Sequence, residues 1–374
     1  MEILINELSF LAIDFGNENL RVAVYCNNQV HVIKNVDNVS RFPQIIISND
    51  RYSAIGTEAE NNIIGYSNSF FKDFKKNIII EPNNEIYQSC ITETLLHYKK
   101  MSEKYLKKHF ENDESIDVIY LTIPIIEDLD ENKWKSILHA CCIEVGFKKI
   151  IPRAEEVIGT SYFMRNYFEK KDWSTQAYCV FNLGSLQFNC SFWRFDNNEY
   201  FYHIISKTDG GSYFYPILQN FINNKVRESI EEKHLGNLAT LPEYNSKIFY
   251  ENKKYLAECH KKYRQILETF SGNSKTIKLQ FRHLIQEVEI DIEIKKSEIE
   301  NELELIKNSV LTLIQKTKAF LNEQKVSKEV CFITLGNGIK FPGVLELFMQ
   351  EFTENFHMRG VFCDEELVRG TFEI

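Results

Sequence analysis

A design written twice constrains this chain more than any other feature. The apolar run Phe10 to Ile13 ends at Asp14, with Gly16 two places on, and the run Tyr178 to Phe181 ends at Asn182, with Gly184 two places on. Asn182 follows Asp14 by 168 residues, and Gly184 follows Gly16 by the same 168. A second strand pattern follows each turn, Leu20 to Tyr25 and Phe188 to Trp193. An Asn-Asn pair then leads into a third strand, at Asn27-Asn28 and Asn197-Asn198. The chain reads as two halves on one plan. Strand, glycine turn and returning strand make a phosphate cradle, because glycine lets backbone N–H groups approach an anion closely, and two facing cradles can hold one nucleotide between them. Two ordinary hairpins produce the same pattern, since Asn-Asn turns are common hairpin punctuation. The repeat alone leaves both readings open.

At 374 residues the chain is long enough for a large core and for two or three domains. Its net charge of −9 argues against a large phosphate-binding surface, so sequence-specific nucleic acid is not an expected partner. The nine cysteines are scattered without a CxxC pair, and Cys141 adjoins Cys142, which suits neither a disulfide framework nor a zinc site. They read as small apolar core residues in a reducing compartment, and no metal centre is expected. The start, Met1 to Glu7, is acidic and lacks the basic region and apolar run of a secretory signal, and no apolar run is long enough to span a membrane. These features predict a soluble, cytoplasmic protein without a membrane partner.

Along the chain, Tyr52 to Ala59 reads as the opening of a helical stretch, and the lysines near Phe74, including Lys75, read as a solvated face. Helical spacing from Ile91 to Leu106 carries a cluster of lysines, Lys99 among them, which reads as a solvated face in preference to a contact with ribosomal RNA or an acidic partner. Val118 to Ile123, ending at Pro124, is a buried-strand pattern, with a helix expected from about Glu131 to Val145. Glu155 and Glu156 precede another helical segment, where acids either serve acid/base chemistry or complement the helix dipole. Gly210-Gly211 opens a helix near Tyr213, as an anion nest or a plain turn. Glu287 to Ile294 alternates as a strand covered on one face. Ser297 with Glu300 has the spacing of a capping box for one long helix that continues to Leu321. Val330 to Leu335 runs into Gly336-Asn337-Gly338, a strand entering a glycine turn.

Taken in order, these pieces resemble the nucleotide-binding domain of DnaK-type heat-shock chaperones, and the resemblance covers essentially the whole chain. Ile13 to Gly16 looks like the first phosphate motif, Asn182 to Gln187 like the second, Gly210-Gly211 like the third glycine pair, and Leu335 to Pro342 like the adenosine motif. Thr122-Ile123-Pro124 resembles the connecting strand, and Asp364-Glu365-Glu366 with Gly370 the closing helix. The resemblance implies an α/β chain with a two-lobed, actin-like (ribonuclease H-like) fold. Lobe I would span 1–170 and lobe II 171–348, with a subdomain at about 212–296 and a helical return to lobe I over 349–374. It places candidate nucleotide contacts at Asp14, Gly16, Asn17, Gly184, Ser185, Gly210, Gly211, Gly336, Gly338 and Lys340, and catalytic positions at Lys75, Glu155, Asn182, Gln187 and Asn189.

The departures from the family point away from catalysis. The two aspartates that help hold hydrated magnesium, and the threonine beside the γ-phosphate, align with Asn182, Asn189 and Gln187. Amides are neutral and cannot take a proton from water as a carboxylate can. Phosphoryl transfer depends on positioning and charge stabilisation, so these losses raise the barrier. The adenine-side positions align with Arg264, Leu267, Glu268 and Gly272, and Lys340 replaces a stacking arginine. The expectation is weak or absent ATP and ADP binding, no magnesium and no useful hydrolysis. The chain stops at Ile374, where the family continues into a peptide-binding domain, so a self-contained peptide-clamping chaperone is not expected. The leading functional expectation is a silent regulatory or scaffolding co-chaperone, resembling the atypical homologue of the ribosome-associated complex, which works with a J-protein at the ribosome. The alternatives are a nucleotide-exchange factor for an authentic heat-shock chaperone, and a weak ATPase.

Overall fold

The computed structural model describes residues 9–66, 69–123, 131–155, 157–159, 162, 166, 176–196, 199–234, 253–285, 288–326, 329–352, 356–358, 369 and 372. The chain is mixed α/β, and its two main sheets repeat one strand order.

The first half opens with β1 (Phe10–Phe15), β2 (Asn19–Cys26), β3 (Gln29–Val32) and β4 (Arg41–Pro43). Next come β5 (Ile45–Asn49), β6 (Tyr52–Ile55), α1 (Thr57–Asn62), β7 (Phe70–Lys72), α2 (Phe74–Ile80) and α3 (Glu85–Phe110). The half closes with β8 (Val118–Ile123), α4 (Glu131–Glu144) and β9 (Lys149–Ala154). The β2–β3 turn has two consecutive left-handed residues, Asn27 at φ 51° and Asn28 at φ 60°, the conformation that matches the twist of a two-residue hairpin. The second Asn-Asn pair, 197–198, lies outside the described residues. Tyr52 to Ile55 is a strand of the small sheet β6-β5-β7, and the helix starts only at Thr57. Leu11, Ile13 and Phe15 of β1 join Leu95, Tyr98 and Leu106 of α3 in the core of this half.

The second half contains β10 (Gln176–Leu183), β11 (Gln187–Asp196), β12 (Glu199–Asp209) and a single 3-10 turn, Gly211–Tyr213. After that turn run α5 (Tyr215–His234), α6 (Lys253–Phe270), β13 (Thr276–Ile285) and β14 (Val288–Lys295). The described part ends with α7 (Lys296–Glu302), α8 (Glu304–Glu323), β15 (Glu329–Leu335), a second 3-10 turn at Asn337–Lys340, α9 (Val344–Glu351) and β16 (Phe356–Met358). β14 buries Ile290, Ile292 and Ile294 on one face, as the alternation predicts, against its hairpin partner β13 and helix α5.

The expected long helix is two helices, broken at Leu303, and its cap differs from the expected one. The Glu298 carboxylate accepts the Lys295 backbone N–H at 2.8 Å, so the capping pair lies two residues before Ser297 and Glu300. β14 holds Lys295 in register with Thr276, and the helix begins directly where that ladder ends. The segment expected as a helical return from 349 contains β16, which lies parallel to β15. Phe372 packs on Tyr25 and Tyr120 of the first sheet. The acidic run 364–366 and Gly370 lie outside the described residues.

The sheets run β3-β2-β1-β8-β9 and β12-β11-β10-β15-β16. In each, the first three strands are antiparallel neighbours and the last two add in parallel. The registers coincide as well. Asp14 faces Arg21 and Phe15 faces Leu20 in one sheet; Asn182 faces Asn189 and Leu183 faces Phe188 in the other. Central strands with a neighbour on both edges bury both faces, hence the continuous apolar runs at β1 and β10.

Candidate functional site

The glycine turns that follow β1 and β10 face each other across a cleft. Its wall includes Asp14, Gly16, Asn17, Glu18, Arg21 and Lys75 from the first half, with Glu155 beyond them. The second half contributes Asn182, Gly184, Ser185, Gln187, Gly211, Tyr215, Gly336 and Gly338. The expected site residues therefore converge, with three exceptions. Asn189 lies on β11 opposite Asn182, and neither it nor Gly210 nor Lys340 lines the cleft.

Asp14 is buried at the end of β1, with both carboxylate oxygens engaged. Arg21 Nη1 reaches Oδ2 at 2.9 Å, and the Thr122 hydroxyl donates to Oδ1 at 2.9 Å while accepting the Phe15 N–H. The parallel pairing of β1 with β8 puts Thr122 there, and the antiparallel pairing with β2 puts Arg21 on the same face as Asp14.

Lys75 corrects the reading of its lysine run as a solvated face. It is 1% exposed, and its ammonium donates to the Phe15 carbonyl oxygen and pairs with Glu155 Oε1 at 3.2 Å. Lys75 sits in the first turns of α2, which directs it inward under β1. Glu155 is thus an ion-pair partner of the cleft floor; Glu156 lies outside the described residues. Lys99 is buried too, its ammonium 4.7 Å from the Phe147 ring and bonded to the Gly146 carbonyl at 3.2 Å.

The second-half turn is closed by its own backbone. The Gly184 N–H donates to Gln187 O, the Gly210 N–H to Leu186 O, the Gly211 N–H to Gly184 O and the Ser212 N–H to Ser185 O, all within 2.8–3.2 Å. These two glycine segments zip onto one another. Gly336, at φ 83°, abuts the same turn so closely that a Cβ there would lie 2.6 Å from Leu183 O.

Side chains then cross the cleft. The Ser185 hydroxyl donates to Glu18 Oε1 at 2.7 Å, and the Tyr215 hydroxyl bonds the same carboxylate. Burial between the walls pushes the Glu18 carboxyl up from its ordinary range, with the two hydroxyl bonds and Arg264 opposing and Asp73 adding to the rise. Tyr215 is pushed well up, first by burial and then by the Glu18 charge. Asn17 Nδ2 bonds Asp73 Oδ1 at 3.1 Å and Ser185 Oγ at 3.4 Å, while its Oδ1 accepts the Lys76 N–H. At the outer edge Arg264 pairs with Glu60 at 2.7 Å and bonds Asn19 Oδ1 at 3.1 Å, Arg41 pairs with Glu268, and Lys76 lies 4.1 Å over the Tyr213 ring. The remaining cavity is about 130 Å³. Of the aromatic trio near the third glycine pair, Tyr215 lines the cleft, Phe214 is core and Tyr213 is half-exposed under Lys76.

Sequence reasoning passed over Glu18, Arg21, Asp73 and Glu60. A signal existed for Arg21 alone, since hairpin register makes it the cross-strand partner of Asp14. Compared with known proteins, the chain matches no family model and no curated protein. Among the described residues, no helix is long and apolar enough to cross a membrane.

Proposed function

We propose that the chain is a catalytically silent relative of the DnaK-type chaperones, with an actin-like two-lobed fold, that acts through its surface as a regulatory or scaffolding co-chaperone. The observation that carries this reading is the internal pairing of the cleft. Asp14 is engaged by Arg21 and Thr122, and Lys75 by Glu155 and the Phe15 carbonyl. The repeated strand order and the two facing glycine turns support the actin-like part of the proposal.

The residues present do not fit a magnesium nucleotide. A divalent cation needs carboxylate oxygens and its own waters, but Asp14 already answers a guanidinium, and Asn182 and Gln187 offer neutral amides. Among the described residues, the two lining cations, Arg21 and Lys75, both have carboxylate partners, so there an incoming oligophosphate meets Glu18 and no cation without an acid beside it. A cavity of about 130 Å³ is also below the ~300–1,000 Å³ of ordinary small-molecule pockets.

With the cleft silent, the remaining route to function is contact. The family resemblance suggests a J-protein or an authentic heat-shock chaperone as partner, with the ribosome as a candidate location. The test is ATP turnover by an authentic heat-shock chaperone and its J-protein, with and without the purified chain. A changed rate, with no turnover by the chain alone, is the expected result. Acceleration confined to ADP release assigns an exchange-factor role instead. Turnover by the chain alone that Asp14→Ala abolishes contradicts the proposal.

A further inference from the structure

Two charged side chains in the cleft belong to no expected motif, and each sits where a strand-turn-strand cradle ordinarily presents its donors and acceptors to a ligand. Arg21 places a cation 2.9 Å from the Asp14 carboxylate, at the end of β1. Glu18 places a carboxylate at the opposite turn, where the Ser185 hydroxyl, 2.7 Å away, and the Tyr215 hydroxyl bond it. A carboxylate at a strand end is the usual partner of a metal ion, and hydroxyl donors at a glycine turn are the usual partners of an oxyanion. We propose that the cleft is self-liganded: Arg21 occupies a cation subsite on Asp14 within the first half, Glu18 occupies an oxyanion subsite on Ser185 and Tyr215, and the Glu18 contacts hold the halves together without a bound ligand. The inference rests on the silent-cleft reading above and adds a cause for it.

Three features argue for a built contact rather than a chance surface pair. The Glu18–Ser185 bond joins residues 167 apart, so it ties one half to the other. Asn17 supports it from the side by bonding Ser185 and Asp73 through one amide nitrogen and the Lys76 N–H through its oxygen. Arg21 is itself buried, 8% exposed, so its charge is answered inside the protein. The backbone N–H groups of Gly184, Gly210, Gly211 and Ser212 are already donated within the second half, and the Ser185 hydroxyl is a side-chain donor that this turn directs toward Glu18. The ligand class that fits the Glu18 subsite is a small oxyanion of the phosphate or pyrophosphate type. It competes with Glu18 and enters only when that carboxylate is gone.

The experiment is a thermal-melt series on the full chain with Glu18→Ala and Glu18→Gln, each with and without millimolar inorganic pyrophosphate and, separately, Mg-ATP. Glu18→Gln keeps the shape and an acceptor, so it should melt near the wild type and ignore pyrophosphate. Glu18→Ala should melt several degrees lower and recover in pyrophosphate, because a ligand selective for the native state raises its stability with concentration. If Glu18→Ala does not survive purification, its refolding yield in pyrophosphate carries the same readout, and recovery supports the proposal. A Glu18→Ala protein that pyrophosphate leaves unmoved, or refolding that it does not rescue, overturns the self-liganded cleft while the silent reading stands. A wild-type protein stabilised by Mg-ATP overturns both, so the two failures are distinguishable.

Discussion

The turn after β1 and the turn after β10 share one backbone plan and carry opposite chemistry. At the same register position the first sheet pairs Asp14 with Arg21, and the second pairs Asn182 with Asn189. The first pair is a buried ion pair, the second two buried amides. The fold accepts either, because the backbone ladder and the flanking apolar residues set the register in both sheets. Phosphate and metal chemistry asks for more, a charge left over for a ligand, and Asp14 already answers Arg21. The strand plan is thus kept in both halves while the side-chain charge at the matching position differs.

Five substitutions test this contrast. The largest effect is expected at the ionic position. Arg21→Ala leaves the Asp14 carboxylate buried without its cation, held by the Thr122 hydroxyl, at a cost of about 3–5 kcal/mol, whereas Asn189→Ala removes a neutral buried amide at about 1–2 kcal/mol. Equal shifts in urea midpoint for the two would break the contrast. Lys75→Met tests the same point on the cleft floor, since it strands Glu155 and the Phe15 carbonyl, and a comparable loss of about 3–5 kcal/mol is expected. Gly336→Ala should cost about 1–3 kcal/mol, because its φ of 83° suits glycine and Leu183 O blocks a Cβ. A neutral outcome in thermal melts would mean that the turn after β15 does not abut Leu183. Arg264→Ala, at the half-exposed rim, should cost only about 1 kcal/mol and should matter less in high salt.

The pH dependence follows from Glu18, which faces the Ser185 and Tyr215 hydroxyls, Asp73 and Arg264. Its carboxyl is raised in the folded state, so the native protein holds that proton more tightly than the unfolded chain. The resulting contribution is present below the unfolded value and is lost as pH rises through the folded one. Subtracting the Glu18→Gln melting curve from the wild-type curve between pH 4 and 8 should give a difference that falls with rising pH. A flat difference would mean that the carboxylate is solvated and the cleft open.

Much of the plan was legible in the sequence because its signals are local. Apolar runs ending in Asp14 or Asn182, glycines two places on, and the Asn27-Asn28 turn fix the hairpins within a dozen residues each. The polar network was not legible. Lys75 is a residue in a lysine-rich stretch until Phe15 and Glu155, 60 and 80 residues away, close around it. Lys99 was misread for the same reason, since burial against Phe147 depends on where α4 ends. Glu18 gives no signal in the sequence because its partners, Ser185 and Tyr215, belong to the other half. The cap of α7 moved because strand pairing at Lys295, a non-local constraint, decides where that helix begins.

The proposed silence of the cleft toward nucleotide is tested by the melting temperature of the wild-type protein with and without millimolar Mg-ATP and Mg-ADP. The account predicts the same midpoint in all three conditions, because no native-state binding means no linkage stabilisation. A rise of several degrees with either nucleotide would contradict it, and would make Arg21 and Glu18 ligand-responsive groups rather than permanent occupants of the cleft.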